Sequence, residues 1–307
     1  MSQWDVVGVG ANSVDYVYRL PAYPEPEGPR SKLRISGHRI SCGGQIATTL
    51  STCAAMGLRT KYVGAVGADG NGQRLRAELH HRGIDTASVV ERDALNAYAV
   101  ILIADDVGER VVLWDRSDAL ALTPEELPVE AIASARALHV DDVDQHAGIA
   151  AARIGRDAGV LVTSDIDRAT PRTEELVATV SIPIFAEHVP PAITGETDAE
   201  RALRKIRRTH TGLLCVTLGA HGSMLLDGDR VHYQPAFPIT PVDTTGAGDV
   251  FRGAFIVALL RGDTPADILR FANAAAAVSC TRAGAIDSVP TLADAESLMN
   301  PSSLRDS

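Results

Sequence analysis

Lysine is almost missing from this chain: positions 32, 61 and 205 carry the only three, and the formal net charge is -10. A nucleic-acid or anionic-membrane partner needs a basic surface, so this composition argues against both. Cysteine is scarce too. Cys42, Cys53, Cys215 and Cys280 form no C-x-x-C pair and have no histidines at zinc-finger spacing, so they read as buried thiols of a reducing compartment. No apolar run approaches the length needed to cross a bilayer, and the opening Met1-Ser2-Gln3-Trp4-Asp5 lacks a basic-then-apolar export signal. The expected location is the cytoplasm. Internal repeats and low-complexity tracts are missing as well, which excludes a solenoid or a disordered arm.

What the chain does have is 307 residues, 45% of them hydrophobic, enough for one extended α/β core. Strand-like runs at Asp5–Gly10, Lys61–Val66, Leu138–Asp142, Val160–Asp165 and Leu213–Gly219 alternate with helical stretches at Gln45–Met56, Gln73–Arg82 and Ala147–Asp157. Four prolines between Leu20 and Arg30 exclude a helix or central strand there. Lys32–Ile40 alternates like an edge strand, and Ala97–Ala104 with Arg110–Asp115 predicts a hairpin around Asp105-Asp106-Val107-Gly108. Thr264-Pro265 starts a last long helix as N-cap and first helical residue.

The most informative stretch runs from Val242 to Ala254, where small polar residues give way to an apolar helix. Gly246 and Gly248 allow a tight turn and a close backbone approach, and the first N–H groups of the helix lack intrahelical partners. Such an end binds anions. Asp249 places a carboxylate at the same point, which would repel a phosphate unless the chemistry needs an acceptor there. Phosphoryl transfer supplies that need. Gly246, Ala247 and Gly248 would donate to the moving phosphoryl group, and Asp249 would orient the attacking hydroxyl. The positive helix end is expected to keep Asp249 ionised at neutral pH. A plain Asp-capped turn is the alternative.

Asp243-Thr244-Thr245-Gly246-Ala247-Gly248-Asp249, with Gly253-Ala254-Phe255-Ile256, closely resembles the C-terminal signature of the PfkB family of ribokinase-like sugar kinases. The resemblance implies a three-layer α/β/α sandwich with a mostly parallel central sheet and a small β-sheet lid. It implies one kinase domain over 1–307, with the lid inserted from about 13–41 and 96–116. ATP and Mg²⁺ follow as cofactors, Asp249 as base and Gly246–Gly248 as anion hole.

On the substrate side the resemblance points to Asp15, with Asn12 nearby, and to the glycine pair Gly43 and Gly44. Asp15 taken alone reads equally as a turn residue. The expected asparagine is replaced by Thr48, which leaves the sugar identity open. Arg116 sits where some relatives face a substrate carboxylate or hydroxyl, and reads equally as a surface residue. On the nucleotide side the resemblance selects Thr217, Gly219, His221 in place of the usual lysine, Gly222 and Asn273. The Asn-x-x-Glu magnesium pattern is altered to Ala186 and Val189, leaving Glu187 as its carboxylate. Asp243, Thr245, Ser279, Arg282, Gly284 and Ser288 match a segment that binds a monovalent cation such as K⁺. The acidic run Asp141, Asp142, Asp144 has no fixed metal spacing and reads as a solvated strand end. The expected partners are a small sugar and ATP, with a homodimer through the lid as a hypothesis. A nucleoside kinase, or a catalytically silent sugar-binding relative, are the other readings.

Overall fold

The computed structural model describes residues 3–105 and 110–300. The chain opens with β1 (Val6–Val9), then β2 (Ser13–Leu20) and β3 (Gly37–Gly43), which pair antiparallel. Next come α1 (Gln45–Ala55), β4 (Thr60–Val63), β5 (Ala65–Gly67), α2 (Gly70–His81) and β6 (Val90–Arg92). β7 (Tyr98–Ala104) and β8 (Arg110–Asp115) pair antiparallel as the hairpin required, while its turn residues Asp106, Val107 and Gly108 lie outside the described residues. βα units follow: α3 (Val129–Ala133), β9 (Ala137–Val140), α4 (Gln145–Asp157), β10 (Leu161–Ile166), α5 (Thr173–Thr179), β11 (Ile182–Ala186), α6 (Val189–Thr194), α7 (Ala199–Ile206) and β12 (Leu214–Thr217). A meander of β13 (Ser223–Asp227) and β14 (Arg230–Gln234) leads to α8 (Ala247–Arg261), α9 (Pro265–Cys280) and α10 (Leu292–Met299).

The main sheet has the order β14-β13-β12-β11-β10-β9-β1-β4. From β12 to β4 every pairing is parallel, and β13 and β14 are added antiparallel. Strand side chains alternate between faces, so consecutive residues feed opposite layers. Val6, Ile184, Cys215 and Leu225 pack with α1, α8 and α9. Their neighbours Val7, Phe185, Val216 and Leu226 pack with α4, α5 and α7 on the other side. This is the ribokinase-like three-layer sandwich. A separate sheet, β3-β2-β7-β8, is built from the two segments expected to form the lid.

α2 starts at Gly70, capped by Asp69, three residues ahead of the expected Gln73, and two strands differ further from the sequence reading. The strand expected over Lys32–Ile40 begins only at Gly37, because its partner β2 stops at Leu20, and Pro21 has no N–H to continue the ladder. The run Lys61–Val66 is split at Gly64, where a Cβ would collide with Tyr62 Oη; β4 stays in the main sheet and β5 leaves to pair with β6.

Candidate active site

Chain order reverses direction between β1 and β9: α1 connects β1 towards β4 on one side, while α4 leads from β9 to β10 on the other. Open α/β sheets place their ligands at the carboxyl ends of the strands beside such a reversal. Gly10 to Asp15 leave β1 at that edge, Asp141 to Asp144 leave β9, Asp165 lies near the end of β10 and Glu187 follows β11. An open hollow of about 760 Å³ lined by Trp4, Lys61, Asp85 and Pro128 lies at the opposite edge, away from these groups.

α8 begins at this edge. Gly246 is its N-cap in the left-handed region, φ 75°, which glycine enters without penalty. No side chain caps the helix, and Ala247 N–H donates to the Thr244 carbonyl at 3.3 Å, so of the three donors expected here Ala247 is already used inside the loop. The helix is fixed from behind by α1. A Cβ at Gly253 would lie 2.6 Å from Thr52 Cβ, and Thr49 Oγ1 donates to the Asp249 carbonyl at 3.1 Å.

Asp249 keeps partial exposure in the first turn. Its carboxyl is pushed well above the ordinary range, first by loss of solvent and then by the charge of Asp165, against the pull of Arg252. This corrects the expectation that the helix end keeps it ionised. A helix terminus contributes about 2 kcal/mol at most, while burial shifts a carboxyl by up to about 3–5 pKa units. Sequence reasoning missed Arg252 and Asp165, although a lone arginine inside an apolar helix signals a buried partner. Arg252 Nη2 meets Asp165 Oδ1 at 2.6 Å, and a Cβ on Gly248 would lie 2.8 Å from Arg252 Nη1. Burial raises Asp165 to about 7, with Arg252 opposing.

Several substrate-side residues converge on Ala285. A Cβ on Gly43 would lie 2.8 Å from Asp15 Oδ2 and 3.4 Å from Ala285 Cβ, and one on Gly246 would lie 2.8 Å from Ala285 Cβ and 3.4 Å from Thr48 Cγ2. Asp15, Gly43, Thr48 and the Gly246 loop therefore line one place. Asp15 is raised by burial, with Ser13 Oγ donating to it at 2.8 Å in opposition. Thr48 is fully buried and its Oγ1 has no protein partner. Gly44 caps α1 with φ 98°, and a Cβ there would lie 2.6 Å from the Asn12 carbonyl carbon.

Other predicted residues are engaged elsewhere. Asn12 Nδ2 donates to Tyr62 Oη at 2.8 Å and to the Ala65 carbonyl at 2.7 Å, and its Oδ1 accepts from Asn96 Nδ2 at 3.0 Å, so both amide hydrogens are used inside the protein. Arg116 is neither free on the surface nor unpaired: Nη2 bridges both Asp144 oxygens at 2.8 Å and reaches the Leu120 carbonyl at 3.0 Å. The acidic run is also corrected, since Asp141, Asp142 and Asp144 are buried rather than solvated. Asp141 accepts from Ala11 N at 2.6 Å and Val143 N at 3.0 Å, and Asp142 from Asp167 N at 2.9 Å and Arg168 N at 2.6 Å.

On the nucleotide side, Gly219–His221 form a 3₁₀ turn linking β12 to β13. His221 is exposed, and Thr217 Oγ1 donates to the Phe185 carbonyl at 3.3 Å. Gly222 has φ 100° and lies against Gln234 and Ala236. Asn273 is buried on α9 and donates to Ser223 Oγ at 2.6 Å and the Leu269 carbonyl at 2.8 Å, so its amide ties α9 to β13.

Among the described residues, no group of three or more His, Cys, Asp or Glu side chains is arranged to hold a metal by itself. A Mg²⁺ carried on nucleotide phosphates needs only one or two carboxylates. Burial raises Asp141 to about 8 and Asp165 to about 7, so both hold protons that a cation beside Asp249 would displace, and exposed Glu187 follows β11 at the same sheet edge. The monovalent-cation segment fits less well. Asp243 already accepts from Gly284 N at 2.9 Å, Thr245 N at 3.0 Å and the Arg39 guanidinium. Ser279 Oγ donates to Ala276 O and Ser288 Oγ to Ala285 O, while Arg282 pairs with Asp294 at 3.1 Å.

The profile of the pfkB family carbohydrate kinases matches residues 11–292. A nucleoside kinase of Methanothermobacter thermautotrophicus is 27% identical over 95% of this chain and 94% of its own length. An ATP-dependent ribose-1-phosphate kinase of Halopiger xanaduensis is 30% identical over 93% of this chain and 95% of its own. Among solved structures, an Arabidopsis thaliana ribokinase complexed with ribose and ATP superposes with a TM-score of 0.84 at 26% identity, covering 98% of this chain and 99% of that one.

Proposed function

Because the chain belongs to the pfkB family of carbohydrate kinases, we propose that it transfers the γ-phosphoryl group of ATP to a hydroxymethyl group of a sugar or ketosugar acid. The observation that carries this reading is the convergence of Asp15, Gly43 and Thr48 on the Gly246 loop, with Asp249 in the first turn of the helix that loop caps. The acceptor hydroxyl lies against Asp249, which orients it and takes its proton late in the transfer. N–H groups of Gly246 and Gly248 receive the charge spread over the transferring oxygens, and Ala247 N–H joins them once it leaves the Thr244 carbonyl. Mg²⁺ neutralises charge on the nucleotide phosphates when bound, and Glu187 is the carboxylate assigned to it. Asp15 and the Thr48 hydroxyl bind acceptor hydroxyls, and Thr217 with the Gly219–Gly222 turn borders the nucleotide.

We treat the chain as one kinase domain whose small sheet, 13–41 with 96–116, is the lid. Exposed apolar residues on its outer strand support a homodimer: Val111, Val112, Leu113 and Trp114 are 42%, 45%, 56% and 69% exposed. Free thiols, three of four buried, favour the cytoplasm. Nucleoside phosphorylation is the second reading, supported by the nucleoside kinase relative.

The test is ADP release from ATP over a panel of ribose, fructose, ribose 1-phosphate, 2-keto-3-deoxygluconate and nucleosides. Turnover with a free sugar or ketosugar acid is expected, and Asp249→Asn should lower kcat by about 10²–10⁴-fold while calorimetric ATP binding persists. Preference for a nucleoside selects the second reading. Silence with every acceptor, or unimpaired turnover by the Asp249→Asn variant, overturns the assignment.

A further inference from the structure

Arg39 stands on β3 of the small sheet, yet its guanidinium reaches the main body: Nη2 meets Asp243 Oδ2 at 2.5 Å. Asp243 opens the loop that ends at Gly246, the N-cap of α8. Its side chain is only 5% exposed, and its two oxygens also accept from the N–H groups of Thr245 and Gly284. One carboxylate thus clamps the anion-hole loop onto the turn after α9, and the positive charge balancing it comes from a residue 204 positions away on another sheet. Burial alone would raise the Asp243 carboxyl, but the Gly284 and Thr245 donors and Arg39 hold it below the usual range. Arg39 Nε is closed off from water and has no protein acceptor.

A dissolved monovalent cation at this loop would need oxygens turned towards it. Here the Asp243 oxygens face three hydrogen-bond donors, and the hydroxyls of Ser279 and Ser288 are given to carbonyls of their own turns. Those donors and a bound cation compete for the same lone pairs.

We propose that Arg39 is a positioning residue that takes the place of a monovalent cation, ordering the anion-hole loop from the small sheet. Phosphoryl transfer then depends on the small sheet lying over the body and not on dissolved K⁺. The activity readout rests on the kinase reading above; the stability readout does not.

The experiment compares K⁺, Na⁺ and tetramethylammonium at equal ionic strength, reading the thermal midpoint and kcat. Wild-type protein should be indifferent to the choice in both. Arg39→Ala should lose kcat by about 10- to 100-fold, the scale for groups that orient a site from behind, with a smaller change in KM for ATP. Arg39→Lys should restore most of the loss, and guanidinium or K⁺ should rescue Arg39→Ala where tetramethylammonium does not. Stabilisation or activation of the wild type by K⁺ overturns the proposal, as does an Arg39→Ala variant with unchanged kcat. An Arg39→Ala variant that fails to fold leaves the wild-type cation series and Arg39→Lys to decide. Should no acceptor turn over, the kinase reading fails, and the thermal midpoints in the three salts still test the cation.

Discussion

Arg252 folds back beneath the first turn of α8 to meet Asp165 at 2.6 Å, with 4% and 2% of the two side chains exposed. Long helical side chains tilt towards the N-terminus, which carries this guanidinium from one turn further on to the back of Gly248. Removing one member of a buried pair strands the other charge, at a cost of about 3–5 kcal/mol, whereas replacing both by apolar groups is often neutral. Arg252→Met should therefore lower stability on that scale in chemical denaturation. Adding Asp165→Leu should return most of the stability but not the turnover, because Asp249 has lost both charges that tune it. A stable Arg252→Met single variant would remove the pair from the account.

The acid limb of activity follows from the raised Asp249 carboxyl. An ordinary aspartate ionises near ~3.9. In the folded protein Asp249 holds its proton to higher pH, and in the proposed transfer only the deprotonated form accepts the hydroxyl proton. kcat/KM should thus rise with pH through a limb lying above the usual carboxylate range. For stability the sign is opposite: above the ordinary value the folded state binds more protons than the unfolded chain, so this group's contribution declines as pH rises through that window. Asp165 is the largest charge raising Asp249. Asp165→Asn should shift the acid limb to lower pH, and a limb that stays in place would exclude the coupling.

What could be read in advance was local. The N-cap Thr264 lies within three residues of the N–H group it binds, and the cap forms. Strand and helix order followed from alternation and glycine stops, because those signals also act over a few residues. Partners distant in the chain were not legible. Nothing around Asp141 announces that Gly10 and Ala11 pack against its carboxylate, 130 residues away. Asn273 reads as a polar residue on a helix until Ser223 is brought under it. Arg39 fell in a stretch noted only for its alternation, and its importance rests on a loop in the other half of the chain.

The proposed homodimer is testable at β8. It is the outer strand in the order β3-β2-β7-β8, so among the described residues one edge of its backbone has no neighbour. Unpaired edges template association unless charge or a cover blocks them. Here four consecutive apolar residues, Val111 to Trp114, stand exposed instead. Light scattering should give a mass near twice 32.4 kDa. Trp114→Glu places a charge at the most exposed of the four and should yield a monomer whose main-body unfolding is unchanged, since Trp114 packs into neither large core cluster. A wild-type monomer at working concentration would end the proposal.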